Sequence, residues 1–252
     1  MQLPTVEATT YVVPLREGGS LPALVEASDD GLYVLKFTGA GQGPKALVAE
    51  VIAGELARAL GLLVPELALV ELDPTLAVAE PDAEIQDLLR ASAGLNLGVD
   101  FLPGALPFSP AVGPPPPPEL AADIVWFDAL VTNVDRTAKN TNMLIWHGRL
   151  WLIDHGASLY FHHAPERDEE HARRPFAAVA DHVLLPFAGS ILEADARLAP
   201  RVTPEVLADV AAAVPEAWLG GDDRGLYADY LRARVAAPRA FVAEAERARG
   251  QR

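Results

Sequence analysis

The chain has 252 residues, of which 35 are acidic and 20 basic, so its formal net charge is −15. This length suffices for one large domain or for two lobes around a cleft. The negative charge disfavours direct binding of nucleic acid or of a membrane surface, because both need basic patches. The sequence has no cysteine, no targeting signal in its first residues and no apolar run of roughly 18 residues, so we expect a cytoplasmic protein.

The N-terminal residues are predicted to form hairpin strands. Residues 10–15, 23–27 and 32–37 are rich in β-forming side chains and are separated by glycine-containing turns. This pattern is typical of a small antiparallel sheet.

A helix and two further strands are predicted next. Residues 45–61 repeat apolar side chains with a helical period and end at a glycine. Residues 64–72 and 96–101 resemble short strands, and a helical insert is predicted at residues 82–93 between them.

The second part of the chain is predicted to be mainly helical. The proline run at residues 113–118 indicates a stiff connector. Residues 119–134 are predicted to form an apolar helix with Asp135 at its end, and residues 144–153 to form a hairpin. Farther on, Thr203 precedes a proline and is expected to cap a helix.

The spacing of three polar residues predicts ATP-dependent phosphoryl transfer. Asp135, Asn140 and Asp154 follow the spacing that such enzymes use for a base and two magnesium ligands. Asp135 would orient or deprotonate the acceptor hydroxyl, and Asn140 and Asp154 would each hold magnesium. Lys36, on a predicted strand, would meet the α- and β-phosphates. The implied cofactors are ATP and Mg²⁺.

Two further features support this hypothesis. Gly18, Gly19 and Ser20 lie between the first two strands and could place backbone N–H groups over the nucleotide phosphates. The chain has seventeen arginines but only three lysines, and two of these, Lys36 and Lys139, fall inside the motifs.

Four segments, in the same order, resemble the HipA-like kinases, a bacterial branch of the protein-kinase-like fold. Residues 124–140 are similar to the family's apolar helix and D-x-H-x-K-N catalytic loop, with Thr137 in place of the histidine. Residues 152–156 resemble its magnesium-binding segment, and residues 49–66 resemble its glutamate-bearing helix and the turn after it. Residues 97–104 are similar to a kinase hinge strand.

The resemblance implies the fold class. It covers about residues 10–160 and corresponds to a short form without the family's N-terminal subdomain. The expected fold is α+β and two-lobed. Residues 1–104 would form a small antiparallel β lobe with one helix, and residues 105–252 a mainly helical large lobe.

The resemblance to the HipA-like kinases also implies further site residues. The backbone of Asp100, Phe101 and Leu102 would form the hinge that hydrogen-bonds adenine. Lys139 would lie near the phosphates, because the family motif has lysine at that position.

The glutamate that pairs with Lys36 is left open between two candidates. The family's spacing favours Glu50, and we prefer it because the segment keeps the family register without a gap. Counting 100° per residue instead places Glu55 near the centre of the apolar stripe, where a carboxylate would need a cation.

Family members phosphorylate Ser or Thr hydroxyls of proteins, so the implied partners are a protein substrate and an antitoxin-type protein. One alternative is a small-molecule kinase of the same fold, since the fold does not fix the acceptor. Another is a nucleotide-binding pseudokinase or antitoxin-binding module, against which the complete set of Asp135, Asn140 and Asp154 argues.

All six histidines lie between His147 and His182, which raises the alternative of a metal site. They do not follow metal-ligand spacing. Residues 164–174 are therefore predicted to be a solvated, charged loop.

Overall fold

The computed structural model describes residues 2–15, 21–41, 43–164 and 169–251. Its first five strands are β1 (Thr5–Pro14), β2 (Ala23–Ala27), β3 (Leu32–Lys36), β4 (Leu67–Leu72) and β5 (Gly94–Asp100). They close into a barrel in the order β1-β2-β3-β5-β4. The five strands predicted from the sequence are thus confirmed, although β1 begins earlier and β4 later than expected.

The expectation of a purely antiparallel sheet is wrong at one pairing. β1 is long enough to have two partners: its later residues pair with β2, whereas its first residues run parallel to β4, with Thr5 opposite Leu69. This parallel contact closes the barrel. The pattern of a single strand does not specify its partner, so the closure could not be anticipated.

The barrel strands share one buried apolar cluster. It includes Val6, Val25 and Val70 as well as the larger Leu35 and Leu72. Gly98 of β5 permits close packing, because a Cβ at this position would lie 2.6 Å from Val70 Cγ2 and 3.1 Å from Tyr33 Cδ1.

Helix α1 (Pro44–Ala59) is buried on all sides. Its residues 47–57 are all buried, because the helix lies between the barrel and the helical part of the chain. Pro44 occupies the first turn, where its missing N–H costs nothing. The chain turns at Gly61, which has φ +86°. The predicted helix at 45–61 is confirmed within two residues.

The rest of the described chain is mainly helical. Its other helices are α2 (Ala83–Ala91), α3 (Pro118–Leu130), α4 (Glu169–Ala172), α5 (Ile191–Leu198), α6 (Pro204–Ala212), α7 (Arg224–Val235) and α8 (Ala240–Gly250). Short 3₁₀ helices lie at Pro74–Ala79, Tyr160–His163, Ala177–Asp181, Leu185–Phe187, Ala199–Arg201 and Glu216–Trp218. Strands β6 (Leu106–Pro107), β7 (Met143–Trp146) and β8 (Arg149–Leu152) form a second sheet. Thr203 caps α6 as expected, accepting a hydrogen bond from the Val206 N–H. In the described part of the chain, no helix has the length and apolar content required to cross a membrane.

Helix α3 forms the centre of this part. Trp126 is fully buried and packs edge-on against Phe241 of α8, with ring centroids 5.7 Å apart. The helix ends at Leu130, four residues earlier than predicted. Thr132 follows with φ +55°, a left-handed conformation that a helix cannot continue through. Asp135 therefore lies in a loop beyond the helix and not at its end.

Candidate functional site

Lys36 brings together residues that are far apart in the sequence. It lies at the end of β3, and its Nζ donates to Asp154 Oδ1 at 2.8 Å, across 118 residues. The same Nζ contacts Glu50 Oε1 of α1. Burial alone would lower the pKa of Lys36, but the two carboxylates outweigh it and hold the pKa above its usual range. Lys36 is therefore a fixed cation.

Glu50, and not Glu55, faces Lys36 in the structure. Glu50 also accepts hydrogen bonds from the backbone N–H groups of His155 and Gly156, both at 2.9 Å. Burial raises the pKa of Glu50 to about 6, against the opposing effect of Lys36. Glu55 is equally buried but lies 3.4 Å from Arg58 Nε on the same helix.

Glu50 thus links α1 to the segment that follows Asp154. Gly156 makes this link possible, because a Cβ at this position would lie only 3.2 Å from Glu50 Oε1. A displacement of α1 would move both the lysine partner and the segment that carries Asp154.

Asp154 has the properties expected of a residue that binds a metal ion. Half of its side-chain surface is exposed, which leaves carboxylate oxygen available beyond its contact with Lys36. The Lys36 ammonium holds the pKa of Asp154 well below its usual range. Its backbone has φ +57°, a conformation that costs energy for residues other than glycine and is found at functional sites.

Asp135 is held by a tight loop. Its Oδ2 accepts from Asn140 Nδ2 at 2.7 Å and from Asn142 Nδ2 at 3.2 Å, and its backbone N–H donates to Asn133 Oδ1 at 3.1 Å. The Thr137 N–H donates to the carbonyls of Asp135 and Asn140, both at 2.9 Å. Three of the chain's four asparagines therefore position one carboxylate.

A buried network connects this loop to the segment of Asp154. Asp128 of α3 is fully buried and accepts from Arg136 Nε at 2.6 Å, His182 Nε2 at 2.8 Å and Asn133 Nδ2 at 3.0 Å. The Leu184 N–H donates to His182 Nδ1 at 3.0 Å, so the proton of His182 lies on Nε2, facing Asp128.

Arg136 extends the network to both sides of the site. Its Nη1 donates to the Asn142 carbonyl and, at 3.4 Å, to the Ile153 carbonyl. Its Nη2 lies 3.4 Å from His155 Nδ1. Burial lowers the pKa of His155 to about 3, with Arg136 adding to the effect, so His155 is a neutral acceptor. Arg136 therefore ties the loop of Asp135 to the residues on either side of Asp154.

The sequence analysis did not assign this network. One signal was present: Asp128 is the only charged residue among residues 124–134, and a carboxylate in a buried helix requires a partner. His155, His162 and His182 are also buried, and all three lie outside the predicted loop at residues 164–174, whose described part contains the short helix α4.

Comparison with known proteins assigns the family. The model of the HipA-like kinases matches residues 10–236, which is most of the chain. The chain belongs to the HipA-like kinase family. The resemblance in the sequence is therefore confirmed, and over a longer span than the motifs covered. No curated protein matches the chain.

Solved kinase structures are similar to this HipA-like kinase. The Helicobacter pylori proinflammatory kinase CtkA is 14% identical in sequence, with a TM-score of 0.58 over 98% of this chain and 99% of its own. This similarity shows a kinase-like fold. A Golgi casein kinase is 13% identical, with a TM-score of 0.47 over 99% of this chain and 73% of its own. The same kinase with Mn/ADP bound is 11% identical, with a TM-score of 0.48 over 99% and 74%. These two scores are too low to support an argument.

Two of the three predicted hinge residues use their backbone N–H groups for hydrogen bonds inside the protein. The N–H groups of Asp100 and Phe101 donate to the carbonyls of Glu66 and Leu32, at 2.8 Å and 2.9 Å. In the part of the chain that the structure describes, the Leu102 N–H donates no hydrogen bond.

Lys139 is exposed and, among the described residues, forms no ion pair. Gly18, Gly19 and Ser20 lie outside the described residues.

Proposed function

We propose that this HipA-like kinase transfers the γ-phosphoryl group of Mg-ATP to a Ser or Thr hydroxyl of a protein. The 2.8 Å contact of Lys36 with Asp154 carries the proposal, because it places a phosphate-binding cation beside a carboxylate suited to a metal ion. In this proposal the two lobes are residues 1–104 and 105–252, and the site lies between them.

The nucleotide would be bound mainly through its phosphates. Lys36 offers a cation that is already oriented by Glu50, so little side-chain entropy is lost on binding. Lys139 has no competing ion pair within the described chain and is free to approach the phosphates. The N–H of Leu102, which donates no hydrogen bond to the described residues, is the hinge donor best suited to adenine. Gly18, Gly19 and Ser20 remain candidates for phosphate contacts.

The residues present fit a magnesium ion. Asp154 has a half-exposed carboxylate. The side-chain nitrogen of Asn140 donates to Asp135, and its side-chain oxygen makes no hydrogen bond with the described residues, so this oxygen is available. Oxygen ligands of this kind suit Mg²⁺. When bound, the ion neutralises charge on the phosphates.

Asp135 is the residue proposed to touch the acceptor. Its Oδ2 is fixed by Asn140 and Asn142, whereas within the described residues its Oδ1 makes no hydrogen bond. A carboxylate held on one side and open on the other can accept a hydrogen bond from an incoming hydroxyl and align it.

The proposal that the acceptor is a protein rests on the family resemblance alone. An antitoxin-type partner and a cytoplasmic location are likewise proposals, as is the absence of direct nucleic-acid or membrane binding. The partner follows from the family, the absence of direct nucleic-acid or membrane binding from the charge of −15, and the location from the absence of cysteine.

The test is phosphoryl transfer from labelled ATP in the presence of magnesium to proteins of a host lysate, followed by mass spectrometry of the labelled sites. Phosphoserine or phosphothreonine is expected, and Asp135→Asn should reduce its formation by roughly 10² or more. Asp30→Asn is the matched control, since Asp30 is exposed in the β2–β3 turn and its φ of +62° suits asparagine. Label only on a small molecule would contradict the protein acceptor. Mg-ATP binding without any transfer would indicate a pseudokinase or antitoxin-binding module.

A further inference from the structure

A groove framed by two tryptophans lies beside α1, away from Lys36. Its volume is about 440 Å³, and Trp146, Trp151 and Arg58 line it, whereas Lys36 and Asp154 do not. Glu50 and Arg58 are eight residues apart on α1, which corresponds to about 12 Å along the helix axis. The groove therefore does not include the proposed catalytic and metal-ligand residues, although Asp100 and Leu102, whose backbones are proposed to form the adenine hinge, also line it.

The two indole rings pack against each other, and Trp146 is also fixed by a hydrogen bond. Their centroids are 5.2 Å apart in an edge-on arrangement. Trp146 Nε1 donates to the Pro103 carbonyl at 3.0 Å, and both side chains are partly exposed. Rigid, partly exposed indoles offer aromatic contact area at low entropic cost, and their faces attract cations.

The groove also carries carboxylates without a cation. Glu66 is exposed, Asp100 is half-buried, and both line the groove. In the described part of the chain neither residue has an ion pair. Burial raises the pKa of Asp100, and repulsion by Glu66 and Asp29 adds to the shift.

The one cation in the lining is already engaged. Arg58 Nε lies 3.4 Å from Glu55, and its Nη2 donates to the Pro65 carbonyl at 2.9 Å. The excess negative charge of the groove is therefore not neutralised within the described chain.

We propose that this groove binds an arginine-containing basic segment of a partner protein, with the guanidinium group held between the tryptophan rings and the carboxylates of Glu66 and Asp100. Arginine suits this surface better than lysine, because its planar guanidinium stacks on aromatic rings and binds carboxylates through two parallel hydrogen bonds. The proposal does not depend on phosphoryl transfer, since it uses the side chains of the two tryptophans, Glu66 and Asp100, whereas the proposed hinge uses only backbone atoms.

The probe is a blocked peptide of alternating glycine and arginine, compared with its glutamine counterpart. Binding to the full chain is measured by calorimetry and by tryptophan fluorescence at low and moderate salt. Glu66→Gln and Trp146→Leu should each weaken binding about fivefold, the scale of one exposed ion pair or one cation–π contact. Glu84→Gln removes the same charge from an exposed position of α2 and should change binding less than about twofold.

Four results would overturn the proposal. The first is an equal loss of binding in Glu66→Gln and Glu84→Gln, which would show diffuse attraction to an acidic protein. The second is displacement of the peptide by Mg-ATP, which would make the groove part of the nucleotide site. The third is a dimer in sedimentation that Glu66→Gln dissociates, which would identify a second copy as the occupant. The fourth is the absence of peptide binding at low salt. Glu66 is exposed, so its substitution tests the groove without threatening the fold.

Discussion

Replacing Arg136 with methionine tests the buried network most directly. The side chains of Arg136 and Asp128 are both fully buried. Methionine retains an unbranched apolar chain but removes the cation. Among the described residues, Asp128 would then keep the hydrogen bonds from His182 and Asn133 alone.

The expected loss is large. Removing one partner of a buried ion pair costs about 3–5 kcal/mol, because the remaining charge stays buried without compensation. The carbonyls of Asn142 and Ile153 also lose a donor, and such losses cost on the order of 1 kcal/mol each. We therefore expect Arg136→Met to lower the free energy of unfolding by at least about 3 kcal/mol at pH 7, a large part of the about 5–15 kcal/mol typical of a folded protein.

The loss should depend on pH. Burial alone would raise the pKa of Asp128, but Arg136 and His182 hold it well below its usual range. This depressed pKa stabilises the wild-type fold above pH of about 4, and the contribution is lost as the pH falls through the folded-state pKa. Without Arg136, burial should dominate and raise the pKa. Stability of the variant would then fall as the pH rises above about 4, so the difference from wild type should be larger at pH 7 than at pH 5.

Urea unfolding at both pH values measures these differences. The double variant Arg136→Met/Asp128→Asn should be more stable than Arg136→Met alone, because it removes the uncompensated charge. Arg149→Met is the control: Arg149 is exposed, so its loss should stay within about 0.5 kcal/mol. A loss below about 1 kcal/mol for Arg136→Met, or a double variant less stable than the single one, would refute the assigned role of the pair.

The remaining predictions concern phosphoryl transfer and nucleotide binding. Asp135→Asn should reduce transfer by roughly 10² or more, while the affinity for Mg-ATP stays within a few fold. Asp154→Asn should reduce both transfer and Mg-ATP affinity, because it removes a charged ligand beside Lys36. Wild-type rates in both variants would contradict these roles. Glu50→Gln should reduce transfer at least about tenfold, and Glu55→Gln less than about threefold, because only Glu50 contacts Lys36 and the segment after Asp154. Equal effects in steady-state assays would argue against this difference. Calorimetry should show that ATP binds appreciably better with magnesium than without it, and equal affinities would indicate a metal-independent site.

The local sequence determined much of the fold. Strand β2 alternates buried and less buried side chains, because one face of the strand is buried, and α1 was recognisable from its apolar spacing although the structure buries it on all sides. The motif residues were also recognisable, since Asp135 and Asn140 lie five residues apart in one loop. The family followed from the order of such motifs, and the matched span of residues 10–236 agrees.

Contacts between distant segments were decided only by the tertiary structure. The parallel pairing of Thr5 with Leu69 closes the barrel, but the side-chain pattern of neither strand specifies which strand it pairs with. Glu50 and Glu55 are both buried on α1, and only the approach of β3 determines which carboxylate meets Lys36. The helical period gives the direction of a side chain but not the neighbour it meets.

The contacts of the buried network were likewise decided by the tertiary structure. Asp128 and Arg136 are near each other in sequence, yet His182, which also hydrogen-bonds Asp128, is 54 residues away from it. The buried charges of Asp128 and Arg136 are stabilised only once all three side chains are assembled. The sequence therefore determined which residues are able to carry the chemistry. The tertiary structure determined which of them meet, because a buried charge is stabilised by partners that only the complete fold brings to it.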